Sequence, residues 1–271
     1  MTLALTSSLN ARTEAKSIIK QLGIHDAAQI DLEAIAFALG VLVYERPLRG
    51  SLARLVRRGN KGVIAVRERI REIGQKRFCI AHELGHFALH DRLDQLVFCT
   101  DEMLAWYKTR PEELEANEFA AELLMPEDLF RSLAHPEPTW NSLGVLAETF
   151  RTTMTATLIR YVELGICTCA LVHSHAGTIR WFRASDEFPF RMMSPGSTVD
   201  PTSCAWEFFQ TGKALRQSDY VPASAWIEDS LSNTGWVLQE ILFASSHYNS
   251  ALSLLTVAQS RPTGYFDDDR R

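Results

Sequence analysis

His82-Glu83-Leu84-Gly85-His86 constrains the fold of this chain more than any other feature. Two imidazoles four residues apart can reach one ion together on an α-helix, where i and i+4 share a face, and Glu83 then stands beside that ion, able to take the proton of an activated water. Ile80, Leu84, Phe87 and Ala88 recur at helical spacing as an apolar stripe, so the helix is expected to be buried. A buried pair of histidines is half of a zinc hydrolase site. Catalytic zinc takes three protein ligands and leaves a fourth position open, so another residue must return to this helix.

His90 continues the same face at i+8, but an extended motif with a third histidine at i+10 is ruled out by Arg92. Capping or a hydrogen bond to a liganding imidazole suits His90 better. The next candidates lie on the segment from Pro111 to Met125, which opens on Pro and acids as a first helical turn should and stops before Pro126. Ala116, Ala120 and Ala121 would let that helix approach the first one closely. Glu113 and Asn117 share a face, so Glu113 can bind the metal while Asn117 hydrogen-bonds a liganding imidazole. Glu115, Glu118 and Glu122 compete with Glu113, and Glu115 points to nearly the opposite side. The expected set is therefore His82, His86 and Glu113 as metal ligands with Glu83 as the catalytic base. Zn²⁺ suits two imidazoles and a carboxylate, and Mn²⁺ or Fe²⁺ can occupy a similar set. Tyr44, Tyr107 and His90 are candidates for stabilising an oxyanion.

The two blocks together, His82-Glu83-Leu84-Gly85-His86 and Glu113-x-Glu115-Ala116-Asn117-x-Phe119-Ala120-Ala121-Glu122-Leu123-Leu124-Met125-Pro126, resemble the ImmA/IrrE family of metallopeptidases, over roughly residues 10 to 165. The resemblance implies an intracellular, site-specific zinc endopeptidase with a gluzincin-like ligand set. It further implies a protein substrate, a helix-turn-helix repressor of the Cro/CI type, whose cleavage derepresses stress, DNA-damage or mobile-element genes. The alternative is a DNA-binding or partner-binding transcription regulator whose metal site is structural or otherwise non-proteolytic.

A net charge of -5 argues against a general nucleic-acid binder. One basic stretch, Arg54 to Arg77, holds Arg57, Arg58, Lys61, Arg67, Arg69, Arg71 and Lys76 against Glu68 and Glu72; a solvated surface is its default reading, and docking of an acidic substrate segment or contact with DNA near a bound repressor are the others. The longest apolar run, Ala34 to Tyr44, is broken at Gly40 and too short to span a bilayer, and the first residues lack a basic leader. No membrane partner and a cytoplasmic location are expected. Five cysteines without framework spacing fit reduced thiols, and Cys167 and Cys169 read as small buried hydrophobes.

The expected fold class is α+β: a zincin-like helical and small-sheet metallopeptidase domain over residues 1–134, a helix-turn-helix-like segment over 139–165, a smaller α+β domain over 166–262 and a tail over 263–271. Before the site, residues 10 to 22 and a segment capped by Asp31 read as helices, followed by strands at Val41–Tyr44, Ser51–Val56 and Gly62–Val66, with Val63–Val66 a candidate edge strand for substrate pairing. Two short amphipathic helices, 142–150 and 153–161, have the shape of a helix-turn-helix, but Arg151 and Arg160 face Glu148 and Glu163, a balance that weighs against direct DNA binding. After Ile166 strands dominate, with a helix capped by Ser203; this layout resembles family members that end in a GAF-like sensor.

Overall fold

The computed structural model describes residues 2–90, 97–99, 110–228 and 235–257; Tyr107, Arg92 and the tail lie outside them. The chain is α+β and divides into two units, one comprising 1–133 with 145–157 and the other 134–144 with 158–271.

The first unit begins with helix α1 (Thr2–Gln21) and helix α2 (Leu32–Ala38). Asp31 caps α2 through its side chain, accepting from the Ala34 N–H. Strands β1 (Val41–Arg46), β2 (Ala53–Arg58) and β3 (Lys61–Arg67) follow, then helix α3 (Ile73–Leu89), strand β4 (Val97–Cys99), helix α4 (Pro111–Leu124) and helix α5 (Glu127–Leu133). The sheet order is β1-β3-β2-β4, with β1 parallel to β3 and the other pairs antiparallel. Alternation sets its two faces: Val41, Ala53, Leu55, Ile64 and Val66 are buried, while Leu42, Val56 and Val63 are exposed. Gly62 lies on the buried side, where an added Cβ would meet the Phe87 ring of α3 at 3.0 Å. The sheet therefore supports the helix that carries the histidines.

Val63–Val66 is not an edge. It lies in β3, hydrogen-bonded to β1 on one side and β2 on the other, so its backbone is already paired. The apolar alternation of an internal strand and of an edge strand is the same, and only the order of pairing separates them.

Helix α4 packs between α1 and α3. Its first turn has Pro111 in the opening position and Glu112 and Glu113 at the positive end of the helix dipole. Arg12 of α1 pairs with Glu118, and Lys16 of α1 with Glu127 of α5. The close approach of α4 to α3 is made by Gly85, where a Cβ would stand 3.0 Å from Ala116 Cα and 3.1 Å from the Phe119 ring. Ala116, Phe119 and Ala120 are fully buried there, as expected where small residues let two helix backbones meet.

Helix α6 (Trp140–Phe150) and helix α7 (Met154–Glu163) are joined by residues 151–153, and each has residues in both units. Within the first unit Phe150 stacks on Phe130 of α5, with ring centroids 5.4 Å apart. The second unit is built on strands β5 (Cys169–His175), β6 (Thr178–Ala184), β7 (Ser218–Pro222), β8 (Val237–Ser245) and β9 (Ser250–Val257), with helix α8 (Cys204–Thr211). Its sheet is antiparallel throughout, in the order β6-β5-β9-β8-β7. Ala170, Val172, Leu238 and Leu255 from the sheet pack with Phe208 of α8 and Trp226 in one core. Ser203 caps α8 and Gly212 ends it in the left-handed conformation at φ 70°. Cys169 is buried and Cys167 half-buried, both as free thiols.

Glu240 sits in that core and is fully buried. Its carboxylate accepts from the backbone N–H groups of Cys204 and Ala205 at the start of α8 (2.9 and 3.1 Å), from Trp226 Nε1 (3.3 Å) and from the Ser253 hydroxyl (2.8 Å). Burial pushes its carboxyl above the ordinary value, and these four donors pull against that shift. Because Glu240 ties β8 and β9 to the N-terminus of α8, Glu240→Leu is expected to destabilise this unit by about 2–4 kcal/mol through the donors it strands. Urea unfolding followed by far-ultraviolet circular dichroism measures this; a loss within about 0.5 kcal/mol contradicts the tie.

Candidate metal centre

The HExxH helix is α3, and it is buried from Cys79 to Phe87. His82, Glu83 and His86 are each at most 1% exposed. Glu113 and Asn117, one turn apart on α4, are buried against them. His82 Nε2 lies 3.1 Å from Glu113 Oε2 and 3.0 Å from His86 Nε2, and His86 Nε2 lies 3.4 Å from Glu113 Oε1. These three residues form the one cluster of potential metal ligands among the described residues.

Hydrogen bonds on the far side of each ring fix what these atoms offer one another. His82 Nδ1 is 2.9 Å from Asn117 Oδ1. An amide oxygen only accepts, so Nδ1 carries the proton and the Nε2 of a neutral His82 is bare. On the other imidazole, His86 Nδ1 is 3.1 Å from His90 Nδ1, and His90 Nε2 is 2.9 Å from Glu115 Oε2. The Glu115 carboxylate accepts from His90 Nε2–H, leaving His90 Nδ1 to accept from His86 Nδ1–H. His86 Nε2 is then bare as well. Two imidazole lone pairs and a carboxylate converge in a buried space, an arrangement that calls for a cation.

The spacing fits one. Metal bonds of about 2.0–2.2 Å at tetrahedral angles separate neighbouring donor atoms by roughly 3.3 Å, and the observed separations are 3.0, 3.1 and 3.4 Å. A buried His-His-Glu group of this shape can bind a metal. Burial pushes the His86 imidazole below its ordinary value, although Glu113 opposes the shift. Burial also disfavours charge on Glu113, but a proton carried by either imidazole toward it in the metal-free site outweighs that and holds its carboxyl well below the usual range. Because His86 resists protonation, metal is expected to remain bound at the ordinary imidazole value of 6.5 and to leave only below it. Dialysis against buffers from about pH 8 to 5 followed by metal analysis checks this, and half-release at or above the ordinary imidazole value contradicts it.

The other glutamates of α4 have different partners. Glu115 is bound to His90, Glu118 to Arg12, and Glu122 accepts from the Glu127 N–H at the start of α5. Tyr44 is half-exposed on β1. Arg57, one of the basic residues before the site, has a structural partner: its Nη1 donates to the carbonyls of Phe87 (2.8 Å) and His90 (3.2 Å), and the guanidinium lies 4.7 Å from the Phe87 ring centroid. It caps the C-terminal end of α3, where a cation also meets the negative end of the helix dipole. Sequence reading missed this contact, and no local pattern points to it. Arg77 donates to the Ile30 carbonyl at 3.0 Å and Lys76 pairs with Glu45, so these cations of the stretch also serve the fold.

Comparison with known proteins agrees with this geometry. Residues 36–161 match the family model Peptidase_M78, described as the IrrE N-terminal-like domain. The match contains all of α3 and α4. Among solved structures the chain is similar to a Mycobacterium tuberculosis transcriptional regulator, with a TM-score of 0.58 and 16% identity over 92% of this chain and 88% of that one. At that identity the likeness shows the fold alone. No curated protein matches.

Proposed function

Because residues 36–161 match the IrrE N-terminal-like domain of a peptidase family, we propose that this chain is a zinc-dependent, site-specific endopeptidase acting on a helix-turn-helix transcriptional repressor. The observation that supports this most is the convergence of His82 Nε2, His86 Nε2 and the Glu113 carboxylate within 3.4 Å. In this reading those three residues hold the ion, with Zn²⁺ the best match to the donor set and Mn²⁺ or Fe²⁺ as substitutes. When bound, the ion supplies Lewis acidity toward the scissile carbonyl and makes a water acidic near neutral pH. Glu83 takes the proton from the attacking water and delivers it to the leaving amine. Its burial keeps competing solvent away from that transfer. Asn117 keeps His82 in the tautomer that leaves Nε2 available.

The substrate class follows from the ImmA/IrrE resemblance of the two motif blocks, and the expected consequence of cleavage is derepression of stress, DNA-damage or mobile-element genes in the cytoplasm. No described helix is long and apolar enough to cross a membrane. Residues 139–165 would serve in recognising the repressor and residues 166–262 as a GAF-like sensor. A second reading, in which the chain regulates by binding DNA, has one observation in its favour: the similar Mycobacterium tuberculosis protein is named a transcriptional regulator.

Purified protein loaded with Zn²⁺ or Mn²⁺ is incubated with Cro/CI-type repressors, first those encoded beside it, and the products are read by mass spectrometry. One discrete cut is expected. Intact repressor with either metal, together with salt-dependent DNA binding by the protein itself, favours the second reading.

A further inference from the structure

His90 ends α3 as its C-cap, with φ -119° and ψ 87°. Leaving the helical conformation at this position lets its ring turn back on the preceding turn, and Arg57 holds the backbone there by donating to the His90 and Phe87 carbonyls. The ring bridges two partners: Nδ1 is 3.1 Å from His86 Nδ1, and Nε2 is 2.9 Å from Glu115 Oε2. The side chains of His90 and Glu115 are 12% and 22% exposed, so this chain of contacts runs inward from the edge of the site to a fully buried imidazole.

We propose that Glu115 and His90 are positioning residues that set the tautomer and orientation of His86, as Asn117 does for His82. The proposal rests on the metal reading of the site. It assigns the second glutamate of the Glu113-x-Glu115 pair, which lies outside the ligand cluster, a defined part in it. A carboxylate can only accept, so Glu115 fixes the His90 proton on Nε2; His90 Nδ1 is then an acceptor and fixes the His86 proton on Nδ1. Each step follows from the one before, and the result is a bare His86 Nε2 aimed at Glu113.

Removing the relay gives the buried His86 Nδ1–H no acceptor. Its proton then has a better place on Nε2, where it can donate to Glu113 Oε1 across the present 3.4 Å separation. That form satisfies the site with a proton in place of a cation and competes directly with metal. The two imidazoles are thus held by different means: a neutral amide behind His82 and a carboxylate, acting through a second imidazole, behind His86.

The test compares the wild type with His90→Phe and Glu115→Leu, which abolish the acceptors, and with His90→Asn and Glu115→Gln, which retain an oxygen acceptor at each step. Zn²⁺ affinity is measured by competition with a chromophoric chelator, and the His86 tautomer by long-range ¹H–¹⁵N correlation NMR on the metal-free proteins. The Phe and Leu variants are expected to bind Zn²⁺ about 10–100-fold more weakly, the Asn and Gln variants to remain within about tenfold of wild type. In the spectra His86 should carry its proton on Nδ1 in the wild type and shift toward Nε2–H in His90→Phe. Wild-type affinity in both His90→Phe and Glu115→Leu, or an Nε2–H tautomer in the wild type, overturns the relay. A wild type that binds no Zn²⁺ overturns the metal reading instead, and the tautomer measurement still decides the relay.

Discussion

Glu113→Gln is expected to weaken metal binding by at least about 100-fold, beyond the effect of losing a hydrogen-bonding partner of a ligand. Both Glu113 oxygens are committed, Oε2 toward His82 at 3.1 Å and Oε1 toward His86 at 3.4 Å. An amide keeps one oxygen, loses the charge and places an NH₂ group against a bare imidazole nitrogen. That NH₂ is a donor where the site otherwise presents only acceptors. The same substitution should therefore relieve the metal-free protein, whose melting temperature in chelator is expected to equal or exceed that of the wild type. Glu115→Gln on the same helix serves as the control, because it keeps its acceptor for His90. A Glu113→Gln protein that retains wild-type affinity while Glu115→Gln loses it would exchange the roles of the two residues.

Glu83→Gln is expected to retain metal and lose hydrolysis by about 10²–10⁴-fold. Glu83 follows His82 on α3 and is fully buried, and it stands outside the three-residue ligand cluster. An amide of nearly the same volume should fit without disturbing Gly85 or its contact with Ala116. The informative result is the combination of unchanged metal content, unchanged unfolding midpoint and lost cleavage. Parallel loss of metal and activity would place Glu83 among the ligands; retained cleavage would remove it from the chemistry.

Much of this centre was legible in the sequence because it rests on helical periodicity. His82 with His86 and Glu113 with Asn117 are both i, i+4 pairs, and each pair shares a face whatever surrounds it. Pro111, Asp31, Ser203 and Gly212 likewise mark helix ends through local rules, and the structure ends its helices there. Sorting the glutamates of α4 needed more. Glu118 is defined by Arg12, 106 residues away, and Glu122 by the start of the next helix. Those partners are brought by packing, which no window of sequence contains. The same holds for Arg57, a cation in a basic stretch until β2 brings it to the end of α3, and for β3, whose place between β1 and β2 depends on strand order. Glu115 illustrates the limit most clearly: helical geometry turns it away from Glu113, but only the bend of the chain at His90 shows what it meets.

The most direct measurement is X-ray absorption at the metal edge of the wild-type protein loaded with one equivalent of Zn²⁺, repeated on Glu113→Gln. The predicted spectrum fits two imidazole nitrogens and carboxylate oxygen at about 2.0–2.2 Å with no sulfur, and Glu113→Gln loses that sphere. A sulfur scatterer at about 2.3 Å, or a spectrum unchanged by Glu113→Gln, would contradict a centre built from His82, His86 and Glu113.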